Sequence, residues 1–146
     1  MRSLLFLLLV PLSPVAMAYS CSVASTPLMF GSVAGIDGQV RSSTANVTVT
    51  CETGASAGSV SYSLYMDNDA SASHDLHNGS GTAQYQLYKA GGHELIRGDE
   101  AFASDSYALA AHATTTRTYT VYARLQPGRA GSPGIYQAVT AVRLVY

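Results

Sequence analysis

The sequence predicts an all-β sandwich of about six principal strands. Three observations predict it. Apolar and polar residues alternate with a period of two along most of the chain, the stretches between are rich in Gly, Ser, Asn and Asp, and no segment reads as a long amphipathic helix. About six segments read as principal strands, whereas a sandwich of the immunoglobulin type normally needs at least seven.

The first eighteen residues stand apart. Arg2 supplies a short basic start, Leu4 to Val10 an apolar run, Pro11 and Pro14 breaks, and Ala16-Met17-Ala18 a small-x-small cleavage pattern. Residues 1–18 are therefore expected to be a signal peptide cleaved after Ala18. The apolar run is far shorter than the roughly 18 to 20 residues that span a bilayer, so no transmembrane segment is expected after cleavage. Removing 18 residues from 146 leaves 128, enough for one domain, 19–146, with its own core.

Within that domain the strand-like segments follow in order. The Cys21 to Gly31 stretch carries Leu28 and Phe30 beyond Pro27. "NVTVTC" alternates Val47, Val49 and Cys51 with Thr48 and Thr50, and "SVSYSLYM" alternates Val60, Tyr62, Leu64 and Met66 with smaller or polar residues. "TAQYQLYK" places Ala83, Tyr85 and Leu87 on one face, and "TTTRTYTVYARLQ" does the same for Tyr119, Val121, Ala123 and Leu125. The last segment, "GIYQAVTAVRLVY", reads as one strand to the chain end. Its inward face is expected to be Tyr136, Ala138, Thr140, Val142, Leu144 and Tyr146, because the other face must accommodate Gln137 and Arg143. An apolar strand there needs a cover, since an open edge of this kind aggregates. The stretch Ala101 to Ala113 is irregular and is read as a short helix or a long loop.

Two cysteines, Cys21 and Cys51, occur in the exported part and are expected to form a disulfide in an oxidising compartment. Closing that loop would stabilise the fold by roughly 3 to 4 kcal/mol on the chain-entropy model. Removing Arg2 from the eight basic residues leaves seven against nine acidic, and only 12% of the chain is charged. No basic field exists to attract nucleic acid.

Several motifs tempt and fail. Gly54-Ala55-Ser56-Ala57-Gly58 spells the nucleophile elbow of serine hydrolases, but an elbow needs a helix immediately after it and the following residues alternate as a strand. A hairpin loop is the expectation, and no catalytic residue is assigned. Asp67-Asn68-Asp69 with His74, Asp75 and His77 has Ala72 and Asn78 where a calcium loop needs Gly and Glu. A solvated loop without metal or cofactor is expected, with His93 and His112 as isolated surface residues. Tyr107 is the one tyrosine in the irregular segment that suits a sugar-binding platform. Asn46 and Asn78 satisfy the glycosylation sequon, which would mean nothing if the exporter were bacterial.

"CSVASTPLMFG" resembles the opening of the spore coat protein U family, which includes the archaic, Csu-type chaperone-usher pilus subunits. "VTVTC", "YQLYKA" and "VYARL" follow in the family's order, and "GIYQAVTAVRLVY" resembles its closing strand, with Ala138 where the family usually has Asp and Ala123 where it often has Gly. The resemblance implies an incomplete immunoglobulin-like sandwich completed by a donor strand, first from a periplasmic chaperone and then from another pilus subunit, with delivery through an outer-membrane usher. It implies a non-enzymatic structural or adhesive subunit at the cell surface, exported through the periplasm, with a role in attachment or biofilm formation. A self-contained secreted coat or glycan-binding sandwich is the alternative. Leu28, Phe30, Val142, Leu144 and Tyr146, from the first and last strands, are the expected groove residues. After Ala18 only Tyr19 and Ser20 precede Cys21, too little for a donor strand of the usual 5 to 6 residues. The subunit is expected to accept a strand without donating one, and so to cap a fibre tip.

Overall fold

Alternating β-branched and aromatic residues favour a half-buried pleated surface. In the computed structural model, which describes residues 18–33, 41–66, 74–77, 82–91, 93–125, 134–138 and 141–146, they form ten strands. These are β1 (Tyr19–Ser25), β2 (Leu28–Val33), β3 (Arg41–Thr53), β4 (Gly58–Met66), β5 (His74–His77), β6 (Thr82–Tyr88), β7 (Ala103–Leu109), β8 (Thr114–Leu125), β9 (Gly134–Ala138) and β10 (Val142–Val145). One sheet has the order β1-β3-β8-β6-β5-β9-β2 and the other β10-β4-β7. The fold is all-β, in two sheets, consistent with an incomplete sandwich.

The core lies where the inward rows of the two sheets meet. Val47, Val49 and Cys51 of β3, Val60, Leu64 and Met66 of β4, and Val121, Ala123 and Leu125 of β8 are all buried. Fully burying a Val, Leu or Met side chain stabilises by about 1.5 to 3 kcal/mol, so these three strands anchor the domain. Cys21 and Cys51 face each other directly in the β1–β3 ladder, with their Cα atoms 4.1 Å apart, and are joined by a disulfide.

The large sheet curls. β1 and β2 occupy its two ends in strand order, yet only Thr26 and Pro27 separate them in the chain. The last ladder-like contacts on the β1 side are Thr26 N–H donating to Asn46 O at 3.0 Å and Asn46 N–H donating to Thr26 Oγ1 at 2.8 Å. Pro27 has no N–H to continue. Beyond it Ser43 Oγ donates to Met29 O at 2.8 Å and accepts from Met29 N–H at 3.2 Å, so a side chain links β2 to β3. Between Met29 and Ser32 the β2–β9 register shifts, and Gly31 takes a φ of 70° there, a conformation that favours glycine at a bulge.

Several sequence expectations need correction. The Cys21 to Gly31 stretch is two strands, split at Pro27. "GIYQAVTAVRLVY" is also two, β9 in the large sheet and β10 in the small one. The alternation within β10 agrees with the expected inward face, since Val142 and Leu144 are half-buried while Arg143 and Val145 are exposed. The side chains of Tyr136 and Ala138, and Thr140 as a whole, lie outside the described residues. The Ala101 to Ala113 stretch contains strand β7, antiparallel to β4; its inward row is Ala103, Asp105, Tyr107 and Leu109, and a charge in that row disguised the period. The Gly54 to Gly58 loop is a crossing between sheets and not a hairpin, because β3 and β4 belong to different sheets. His74, Asp75 and His77 lie on strand β5 and not in a loop; Asp67 to Asp69 lie outside the described residues. The remaining irregular stretch still contributes to the core, through buried Ile96, whose N–H donates to Leu87 O at 2.9 Å, and through Phe102.

Two polar side chains of the interior, Thr53 and Tyr62, find partners. Thr53, a buried polar residue, donates from Oγ1 to Ala110 O and accepts from Ala113 N–H at 3.1 Å. This docks the turn between β7 and β8 on the end of β3, where His112 takes a φ of 53° and donates its N–H to Gly54 O at 2.8 Å. Tyr62 and Tyr119 share a hydrogen bond of 2.7 Å between their hydroxyls. Burial first, and then that bond, hold the Tyr62 hydroxyl well above the usual tyrosine range.

Two predictions follow from the core. Loss of the bridge in Cys51→Ser should cost about 2 to 5 kcal/mol, lowering the yield of exported protein, and alkylation of the native chain without reductant should find no free thiol by mass. For Tyr62, a folded pKa above the unfolded value of about 10 means that its contribution is complete below pH 10 and is lost as the pH rises further. Urea midpoints should therefore fall between about pH 10 and pH 12, and the fall should be shallower in Tyr62→Phe.

Candidate functional site

β1 and β10 are the edge strands on one side of the sandwich: β1 pairs only with β3, and β10 only with β4, among the described residues. Their open edges meet across a seam between the sheets. At the start of β1 the seam is closed. The Tyr19 ring lies 5.9 Å from that of Tyr146, and Tyr19 Oη donates to Ser61 O at 3.1 Å, so the first residue of β1 reaches the small sheet.

At the other end of β1 the seam opens into an apolar cavity of about 250 Å³. Its rim is the joint Ser25-Thr26-Pro27-Leu28 on one side and Val142 of β10 on the other. Its floor is the core itself, reached at Ala45, Val47, Met66, Leu87 and Val121. The local sequence explains the opening. Pro27 ends the β1 ladder, and the small residue Ala45 of β3 stands where a larger side chain would fill the space.

The five expected groove residues are divided by this geometry. Leu28 and Val142 line the cavity from opposite sides. Leu144 is half-buried further along β10, opposite Leu64, and Tyr146 is 43% exposed beside Tyr19. Phe30 is buried at 5% exposure, with its ring 5.7 Å from that of Tyr85, in a closed part of the core. Pro27, Met66 and Ala45 were not anticipated at the site. Pro27 gave a signal, as a residue that must interrupt a ladder, whereas nothing in the alternation distinguishes Ala45 and Met66 from ordinary core positions.

The other candidates place as follows. Ser56 is exposed in an open cleft beside the start of β1, near Ala18 and Glu52. It is followed by strand β4, and His112 meets this loop through its backbone N–H; the nucleophile-elbow arrangement is not formed there. No group of three or more His, Cys, Asp and Glu among the described residues is placed to hold a metal. Tyr107 is half-buried and packed edge-on against Tyr62, with the Arg117 guanidinium 5.2 Å from its ring centre. Arg117 covers one face of the Tyr107 ring. His93 and His112 are exposed. No helix among the described residues is long and apolar enough to cross a membrane.

Comparison with known proteins agrees with this architecture. No curated protein matches the chain. A family model described as the Spore Coat Protein U domain matches residues 6–143, a family associated with pilus and coat proteins of the chaperone-usher route and structural, not enzymatic, in character. A match over nearly the whole chain, on a two-sheet β fold, makes this protein a member of the Spore Coat Protein U domain family.

Proposed function

We propose that this protein is a structural and adhesive subunit of a cell-surface pilus, which takes up a donor strand between β1 and β10. The observation that carries the reading is the apolar cavity that opens between two unpaired strand edges. A guest strand there gains backbone hydrogen bonds from the edges, and its alternate side chains enter the apolar seam. Leu28 and Val142 grip the guest at the cavity, and Leu144 and Tyr146 continue the contact along β10. A periplasmic chaperone supplies the first strand, an outer-membrane usher delivers the complex and another subunit supplies the final strand. The route requires export, which the pattern in residues 1–18 provides through cleavage after Ala18.

Val142→Asp should abolish chaperone capture, because it places an unpaired charge in an apolar slot. Arg143→Ala should be mild, since Arg143 is exposed with its guanidinium 4.7 Å from the Tyr65 ring centre. Co-purification with the chaperone measures both, and equal effects would contradict the reading. If the purified domain, disulfide intact, is a stable monomer without any guest strand, the self-contained secreted coat protein becomes the better description.

Cleavage after Ala18 also fixes the subunit's place in a fibre. Tyr19 is then the first exported residue and is already paired with Thr53 in β1, so no arm is free to donate. The subunit accepts a strand and caps the tip. N-terminal sequencing of the exported chain tests the premise, and immunogold labelling should fall at fibre ends; label spaced along the shafts would exclude the tip position.

A further inference from the structure

The sandwich has a second seam, and its chemistry is the reverse of the first. β7 is the other edge of the small sheet, pairing only with β4 among the described residues. β8 meets β6 only over Tyr122–Leu125 among the described residues, so residues 114–121 have no described strand on that side. This part of β8 reads Thr-Thr-Thr-Arg-Thr-Tyr-Thr-Val, a strong strand former. Two open edges thus flank the β7–β8 seam, as two flank the β1–β10 seam.

Here, however, each sheet brings a charge to the mouth of the seam, where the Arg117 side chain is 51% exposed and that of Asp105 is 32% exposed. Asp105 lies in the inward row of β7, and Arg117 opposes inward-facing Val49 in the β3–β8 ladder. Arg117 Nε lies 3.3 Å from Asp105 Oδ2, and its guanidinium lies over the Tyr107 ring. Asp105 Oδ1 accepts the N–H of Ser106 at 2.8 Å, which occupies an amide of the edge strand itself. Behind this clasp the Tyr62–Tyr119 hydroxyl bond closes the seam further in. Inward charges are a recognised means of protecting strand edges. A guest strand in this seam would have to part the ion pair and lift Arg117 from its ring, and would leave charges facing an apolar guest.

We propose that Asp105 and Arg117 determine specificity of strand uptake: they bar guest strands from the β7–β8 seam and so confine pairing to the β1–β10 seam. The proposal rests on the strand-acceptance reading for the open seam, while the clasp itself can be tested apart from it. One capped seam gives a subunit with a single acceptor site, which is what keeps strand-mediated assembly linear.

The test uses the exported chain with its disulfide intact and a synthetic peptide alternating valine and threonine, read by native mass spectrometry and hydrogen exchange. The native protein should bind one peptide, with new protection in β1 and β10. Asp105→Ala and Arg117→Ala should bind a second peptide or self-associate, with new protection in β7 and residues 114–121. One-peptide binding with native-like protection in both variants would overturn the proposal. If Arg117→Ala does not fold, Arg117→Lys keeps a cation but loses the planar contact with Tyr107, and the same two outcomes decide. A native protein that gains no protection in β1 and β10 would count against strand acceptance, whereas β7-centred association of the variants would still support the clasp.

Discussion

A two-residue joint sets the form of this molecule. Thr26 and Pro27 tie together the strands that stand at opposite ends of a seven-stranded sheet, and a sheet whose ends are tied must roll until they meet. β3 is the axis on which this happens. Over Val47–Thr53 it carries β1 as a ladder, with the disulfide near its Tyr19 end; at Ser43 it holds β2 through a side chain. The weakness of that second attachment follows from proline, which cannot donate where the ladder would continue. The cavity sits at this discontinuity, so the feature that closes the large sheet also leaves the core open beside it.

The two seams of the sandwich show how similar backbone edges acquire different roles from a few side chains. Both seams bring together open strands, and both contain tyrosines that reach across. In one, apolar residues and a missing volume leave space; in the other, an ion pair, a cation over a ring and paired hydroxyls fill it. The exposed Arg117–Asp105 pair would contribute little to stability on its own. Its position in the inward rows gives it a different importance, since backbone edges compete for strands through local access and not through total stability.

Much of this could be seen in the sequence, and the failures have physical causes. The alternation in β3, β4, β6 and β8 was clear because each has an unbroken apolar row against small or polar residues. β7 was hidden because Asp105 interrupts its row, and the interruption marks the clasp. The division of the last segment into β9 and β10 left no trace, since a chain that changes sheets without changing parity keeps its alternation. Parity also explains why Leu28 and Phe30 were grouped: it reports a face, not a depth, and the structure puts Leu28 at the cavity rim and Phe30 in the closed core beside Tyr85.

The position of the Cys21–Cys51 bridge has a mechanical consequence. β1 is an edge strand, and an edge strand pulled along its length would ordinarily detach at its end and peel away, one hydrogen bond at a time. The bridge lies within the β1–β3 ladder, two residues from its Tyr19 end. A tensile load on β1 therefore passes through a covalent bond into β3, which is paired along twelve positions with β8. Those hydrogen bonds lie across the direction of pull and share the force together, so the load is borne in shear by the most extensively paired strands of the domain.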